Sequence, residues 1–203
     1  MTRIRLSPAE RRDQLIDLGV KMLSLSGLEQ ISIEEIAKKA GISRGLLFHY
    51  FPSKRDFHLA VVQHSSDDIL AALVPNTDLD PLAMLYDVMG RYVDYVTENR
   101  DTYIALLRGP GSGDPALRAI LEQNRLTLVE RILSAGPIIG ASITPTVELA
   151  ARGWIAFVEE TTIAWLRDAQ IARDELIDVH VRALPALLQV EGLADALSPA
   201  ESS

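Results

Sequence analysis

Residues 42–54 read ISRGLLFHYFPSK and set Phe48, His49, Tyr50 and Phe51 side by side in a chain that is only 5% aromatic. On a helix, at about 100° per residue, Leu47 and Phe51 share one side while Gly45, Leu46 and His49 share the other, with Phe48 and Tyr50 at the flanks. The second side is a face of small, apolar and hydrogen-bonding groups. The DNA major groove admits one helix and presents base-edge acceptors and thymine methyls, so it is a matching partner. Arg44 can reach guanine acceptors, Leu46 or Phe48 can pack on a methyl, and His49 can donate to a base or a phosphate. Tyr50 and Lys54, at the helix end and just beyond it, suit phosphate oxygens. The competing reading packs the aromatic run beneath the following helix. It fits Phe51, stays open for Phe48, and fits poorly for His49 with Tyr50.

Such a helix needs elements to hold it. Upstream, 32–39 carries Ile33, Ile36 and Ala37 on one side and ends at Ala40-Gly41, where glycine permits a left-handed terminus. Ser43 then caps the next helix, a spacing that predicts the tight corner of a helix-turn-helix. Helix starts recur along the chain: Ser7-Pro8-Ala9-Glu10 is a capping box, and Ser32 to Glu35 and Ser53 to Asp56 have similar spacing. Asp80-Pro81, Asp114-Pro115 and Thr144-Pro145 repeat a capping side chain followed by proline. Strand signals do not recur. The pattern predicts an all-α chain with helices at 8–25, 32–39, 43–50, 53–74, 81–108 (broken near Asn99), 114–135, 145–169 and 173–190. Residues 76–80, 109–113 and 136–143 read as connecting loops, and 198–203 as a frayed tail.

The run ISIEEIAKKAGISRGLLFHYFPSK, residues 31–54, resembles the DNA-binding signature of the TetR/AcrR family of bacterial one-component transcriptional regulators. The upstream segment 11–31, with its helix followed by Ser26-Gly27-Leu28, is similar as well. The resemblance implies base contacts from Arg44, Gly45, Leu46 and Phe48, and phosphate contacts from Ser32, His49, Tyr50 and Lys54. It departs from the family pattern at Leu46, where a hydroxylated residue is common, and at Phe48, where tyrosine is common. Each change removes a hydrogen bond and favours reading a thymine methyl. Arg3 and Arg5 form either a groove-binding arm or simply a basic tail. The implied architecture has an N-terminal three-helix helix-turn-helix domain, 1–52, and a C-terminal helical domain for ligand binding and dimerisation, 53–203. About nine helices are expected in all, with 53–74 linking the domains.

Composition agrees with this division. The chain has 203 residues, 48% hydrophobic and 24% charged, enough for a substantial core. Residues 1–58 hold ten Lys or Arg against seven acids, a net of +3, while 59–203 hold ten against 21, a net of −11. A basic end on an acidic body fits polyanion binding at that end. Without cysteine there is no disulfide framework and no thiolate metal site. The basic N-terminus leads into charged residues, not the apolar run of a secretory signal, and no stretch has the length of a membrane helix, so a cytoplasmic protein is expected.

In the acidic body, segment 145–169 is apolar on nearly every side, and 173–190 behaves similarly around Pro185, an expected kink. Such helices need a partner face in addition to the domain's own core. The resemblance implies a twofold homodimer through these two segments, presenting two recognition helices to a palindromic operator. Polar groups within the apolar segments are candidates for recognising a small-molecule ligand: Tyr92, Tyr95 and Tyr103, Asn124 and Arg125, and Glu159 and Glu160, with Trp154 and Phe157 as apolar wall or core. An unpaired Glu159 or Glu160 would favour a cationic or hydrogen-bond-donating ligand. The other reading gives these residues a salt bridge or a solvated face.

Enzymatic chemistry finds little footing. Gly109-Pro-Gly-Ser-Gly113 lacks the preceding strand and following lysine of a phosphate loop. His64 with Asp67 or Asp68 has helical spacing for a metal, but the paired Glu-x-x-His motifs of di-iron bundles are absent. No cofactor and no metal are expected. The alternatives to a regulator are a helical-bundle enzyme and an adaptor without DNA binding.

Overall fold

The computed structural model describes residues 6–26, 31–109, 113–135 and 142–188, and all regular structure among them is helical. The helices are α1 (Pro8–Ser26), α2 (Ile33–Ala40), α3 (Arg44–Tyr50), α4 (Lys54–Ala72), α5 (Pro81–Glu98), α6 (Arg100–Arg108), α7 (Pro115–Ala135), α8 (Pro145–Arg167) and α9 (Arg173–Leu188). The expected break at Asn99 separates α5 from α6. Arg3 and Arg5, Gly27 and Leu28, most of the 109–113 connector, 136–141 and the 198–203 tail lie outside the described residues.

Local chemistry starts these helices where the capping residues stand. Ser7 N–H donates to Glu10 Oε2 at 2.7 Å while Glu10 N–H donates to Ser7 Oγ at 3.3 Å, a complete capping box. Asp80 accepts from the backbone of Leu82 and Ala83 at the start of α5, and Thr144 Oγ1 accepts from Val147 at 3.2 Å at the start of α8.

The chain divides into two compact units, Met1–Asp68 with Asn99–Leu121, and Ile69–Glu98 with Glu122–Ser203. The first packs α1 against α2 and α6, and α2 against α3. Its core gathers Leu15, Leu23, Ile31, Ile36, Leu47, Phe51, Phe57 and Val61, with Leu106 and Leu117 contributed from later in the chain. Gly19 lets α1 and α4 approach: a Cβ there would lie 2.4 Å from Val61 Cγ2 and 2.9 Å from Phe57 Cζ. In the second unit α9 lies against both α5 and α8. Arg173 fastens α9 to α5 through Asp94, at 2.7 and 2.8 Å, and Tyr86 donates to Asp178 at 2.6 Å.

Candidate nucleic-acid interface

Two small devices fix α3. Gly41 takes φ 65°, ψ 35°, the left-handed terminus of α2, where Gly41 and Ile42 N–H groups reach back to Lys38 and Ala37 carbonyls. Ser43 Oγ then accepts from Leu46 N–H at 3.1 Å and opens α3. With Leu47 and Phe51 buried beside Ile36, Ala37 and Phe57, helical geometry turns positions 44, 45, 46 and 49 outward. Arg44, Gly45 and His49 are exposed, and Leu46 is a 40% exposed apolar side chain. Phe48 and Tyr50 are half-buried along the rim of the core, which is the intermediate position left open for Phe48. The His49 ring stands edge-on to Tyr50, centroids 5.6 Å apart.

The surrounding charges converge on this face. Ser32 caps α2 by accepting from Glu35 N–H at 3.3 Å, and its hydroxyl donates to Glu34 Oε2 at 3.2 Å. Glu34 Oε1 lies 2.9 Å from Arg44 Nη1, and the Arg44 guanidinium carbon sits 5.3 Å from the centre of the Phe48 ring. A backbone hydrogen bond at Glu34 itself, then the Ser32 hydroxyl, hold this carboxyl below its ordinary range, and the positive charges of Arg44 and Lys54 act in the same direction. Three residues expected at DNA, namely Ser32, Arg44 and Lys54, therefore act on one carboxylate that the sequence showed only as part of a helix start. Its signal was the Ser-x-Glu spacing at the N-terminus of α2.

Exposed Lys54 opens α4, whose cap is Ser53: its Oγ accepts from Asp56 N–H at 3.1 Å and donates to Asp56 Oδ2 at 2.8 Å. One residue on, Arg55 grips Asp114 at 2.9 and 3.1 Å. Asp114 also accepts from Ala116 N–H at 2.7 Å, and the Arg55 hydrogen bond is the main cause that holds its carboxyl down at about 2. This pair ties the start of α4 to the start of α7 within the first unit.

The model of the bacterial regulatory proteins of the tetR family matches residues 15–61, which contain the whole helix-turn-helix. The model of the tetracyclin repressor-like C-terminal domain matches residues 81–187, more than half of the chain. The chain belongs to the TetR family. It is 33% identical to a TetR-family transcriptional regulator from Streptomyces coelicolor, whose crystal structure it matches with a TM-score of 0.82 over 97% of this chain and 93% of that one. It is 26% identical over 180 residues to an uncharacterised HTH-type transcriptional regulator of Mycobacterium tuberculosis, covering 83% of this chain and 73% of the relative. The HTH-type transcriptional activator FasR of Mycolicibacterium smegmatis is 22% identical over 181 residues, 88% of this chain and 83% of the relative.

Within the TetR C-terminal match, the expected ligand-recognising groups fall into different settings. Tyr92 is buried and Tyr95 half-buried on α5, Tyr103 is half-buried on α6 in the first unit, and Asn124 is half-buried on α7. Arg125 and Glu159 find each other: Nε lies 3.0 Å from Oε1 and Nη2 lies 2.8 Å from Oε2. Glu159 is thus not the unpaired carboxylate that would select a cation, because a guanidinium of its own chain neutralises it. Glu160 is exposed. Trp154 is buried and donates its indole N–H to the His180 carbonyl at 2.9 Å, so it belongs to the α8–α9 seam, and half-buried Phe157 stands edge-on to the His180 ring at 5.9 Å. His180, a lone histidine in an apolar run of the sequence, is fully buried. Along α8, Leu149, Gly153, Ala156, Glu160 and Ala164 form a strip that is exposed in the single chain, opposite the buried side of Ala151, Trp154, Ile155 and Val158. Among the described residues no group of three or more His, Asp or Glu gathers to hold a metal ion, and no helix is long and apolar enough to cross a membrane.

Proposed function

We propose that this TetR-family chain is a homodimeric repressor that reads a palindromic operator in the cytoplasm and is released from it by a small-molecule ligand. The observation that carries the reading is the outward face of α3: with Leu47 sealed in the core, Arg44, Gly45 and Leu46 stand exposed on a helix capped at both ends. In this reading residues 1–52 bind DNA and 53–203 bind ligand and dimerise. Arg44, Gly45, Leu46 and Phe48 meet bases; Ser32, His49, Tyr50 and Lys54 meet phosphates.

Dimerisation through α8 and α9 is supported by their exposed apolar side chains, Leu149 at 71%, Val179 at 41% and Leu187 at 45%, beside the small Gly153, Ala156 and Ala164. Such a strip lets a second copy approach closely. The ligand enters the C-terminal domain near Tyr92, Tyr95, Asn124 and Phe157, with Tyr103, Trp154 and the Arg125–Glu159 pair as further candidates.

Helix α4 is the transmitting element. Its N-terminal end is held through the Arg55–Asp114 pair, and its last carbonyls are held by two other arginines. Arg91 donates to the Ala72 carbonyl and, at 3.0 Å, to that of Val74, while Arg131 donates to Leu70 at 2.7 Å. A ligand that shifts α5 or α7 moves α4 with them and alters the spacing of two recognition helices. By linkage, DNA must weaken ligand binding by the same factor that ligand weakens DNA binding, typically about 5–150-fold.

The test is selection from a random duplex pool followed by anisotropy at several salt concentrations. An enriched inverted repeat, bound with a steep salt dependence that Lys54→Ala makes shallower by about 1.8, one phosphate contact being lost from each protomer, supports the reading. Sequence-blind binding would reject it and return the enzyme and adaptor alternatives. An activator is the second reading, favoured by the name of the FasR relative, and transcription from a promoter carrying the selected site decides the sign.

A further inference from the structure

Glu34 stands against Arg44, and the details of the contact say what it does there. A guanidinium carries five N–H donors in a planar fork. Glu34 engages Arg44 at Nη1, and the Phe48 ring centre lies 5.3 Å from the guanidinium carbon, so two sides of this exposed group meet protein. Glu34 is itself fixed: it stands in the first turn of α2, and Ser32 Oγ donates to its second carboxylate oxygen at 3.2 Å. The chain Ser32, Glu34, Arg44, Phe48 therefore begins at a helix cap and ends on the recognition helix.

We propose that Glu34 is a positioning residue for base readout: it holds Arg44 so that the remaining donors of the fork meet guanine O6 and N7 as a pair. The inference rests on the proposed DNA-reading role of α3 and adds a specificity-determining residue that does not itself touch DNA. An arginine side chain has several rotatable bonds, and bidentate readout requires one orientation of its plane. A carboxylate that binds one edge leaves that orientation selected before DNA arrives. The same negative charge, set beside Lys54 and Ser32 where phosphates are expected, repels the backbone of every duplex equally.

These two roles have opposite signs, which separates positioning from mere competition. If Glu34 only competed with DNA for Arg44, its removal would strengthen operator binding at least as much as random binding, because the operator is where the pair must be given up. If it positions Arg44, its removal strengthens random binding while guanine preference falls.

The experiment measures full-length wild type, Glu34→Ala, Arg44→Ala and the double variant by anisotropy. Each is tested on the selected operator, on operators with the Arg44-dependent guanine replaced by adenine, and on a random duplex. Circular dichroism confirms that each variant is folded. The expected wild-type preference for guanine is on the order of tenfold. Glu34→Ala should reduce it to roughly threefold or less while tightening the random duplex by about threefold. In the Arg44→Ala background Glu34→Ala should change no base preference, which the cycle reads directly. An unchanged or larger guanine preference in Glu34→Ala, or a loss of preference that persists without Arg44, overturns the proposal. Failure of the wild type to select any duplex would instead overturn the DNA-reading role on which it rests.

Discussion

His180 Nε2 lies 2.8 Å from Thr161 Oγ1, inside the seam between α8 and α9. Thr161 also lies 2.8 Å from the Phe157 carbonyl, which takes the hydroxyl proton, so Nε2 is the donor of the pair and Nδ1 is the unprotonated nitrogen. The imidazole is neutral and fully enclosed, and burial alone pushes its pKa from the ordinary 6.5 down to about 4.

Stability should therefore fall on acidification in a defined window. Between pH 6.5 and about 4 the unfolded chain binds a proton that folded His180 refuses, so stability is lost as pH drops through 6.5 and flattens below about 4. A gap of about 2.5 in pKa corresponds to at most about 3.5 kcal/mol. Urea unfolding of wild type and His180→Gln at pH 7, 5.5 and 4.5 checks this. The variant should lose part of the slope, and equal slopes would exclude His180 as its source.

Gly45 should be dispensable for the fold and needed at DNA. A Cβ at this position would find only Ser43 Oγ, 3.9 Å away, so the helix has room for alanine. Gly45→Ala should stabilise the protein by about 0.5–1 kcal/mol through helix propensity. It should also weaken operator binding by roughly fivefold or more, because the added methyl stands on the groove-facing side. Thermal unfolding and anisotropy on one preparation separate the two effects.

The Arg125–Glu159 pair should behave as a half-buried structural contact. Arg125→Ala leaves the carboxylate partly enclosed without its bidentate partner and should cost on the order of 1–2 kcal/mol. Replacing both residues with methionine should recover most of that loss, since apolar side chains of similar length need no partner. Denaturant midpoints of the single and double variants provide the comparison, and a double variant as unstable as the single would contradict it.

The arginines at the end of α4 should govern how firmly its last turn is closed. Arg131→Ala removes the donor to the Leu70 carbonyl, so amide exchange around residues 69–74 should speed up by roughly tenfold while exchange in α1 stays as it was. Uniform acceleration would mean general destabilisation instead.

Much of the fold was legible because its signals are local. Ser7 with Glu10, Ser53 with Asp56, Asp80 and Thr144 mark helix starts within three residues of the backbone groups they bind, and Gly41 marks a corner that needs positive φ. The two faces of α3 followed from helical periodicity alone. The setting of Glu159 was not legible, because the sequence offers many arginines and acids and does not say which will meet. Glu34 was passed over for the opposite reason: its role in the helix start was visible and its contact with the next helix was not.

The helices, their caps, the helix-turn-helix corner and the family all follow from residue type and spacing over a few residues or from one continuous motif. Tertiary structure alone decided the pairings: Arg55 with Asp114 across 59 positions, Arg125 with Glu159 across 34, and Trp154 with the carbonyl of His180 across 26. Capping and periodicity act within one or two helical turns, whereas the choice among distant partners is made by how buried faces such as those of Leu47, Phe57 and Ile163 pack. Only that packing brings particular charges within hydrogen-bond reach.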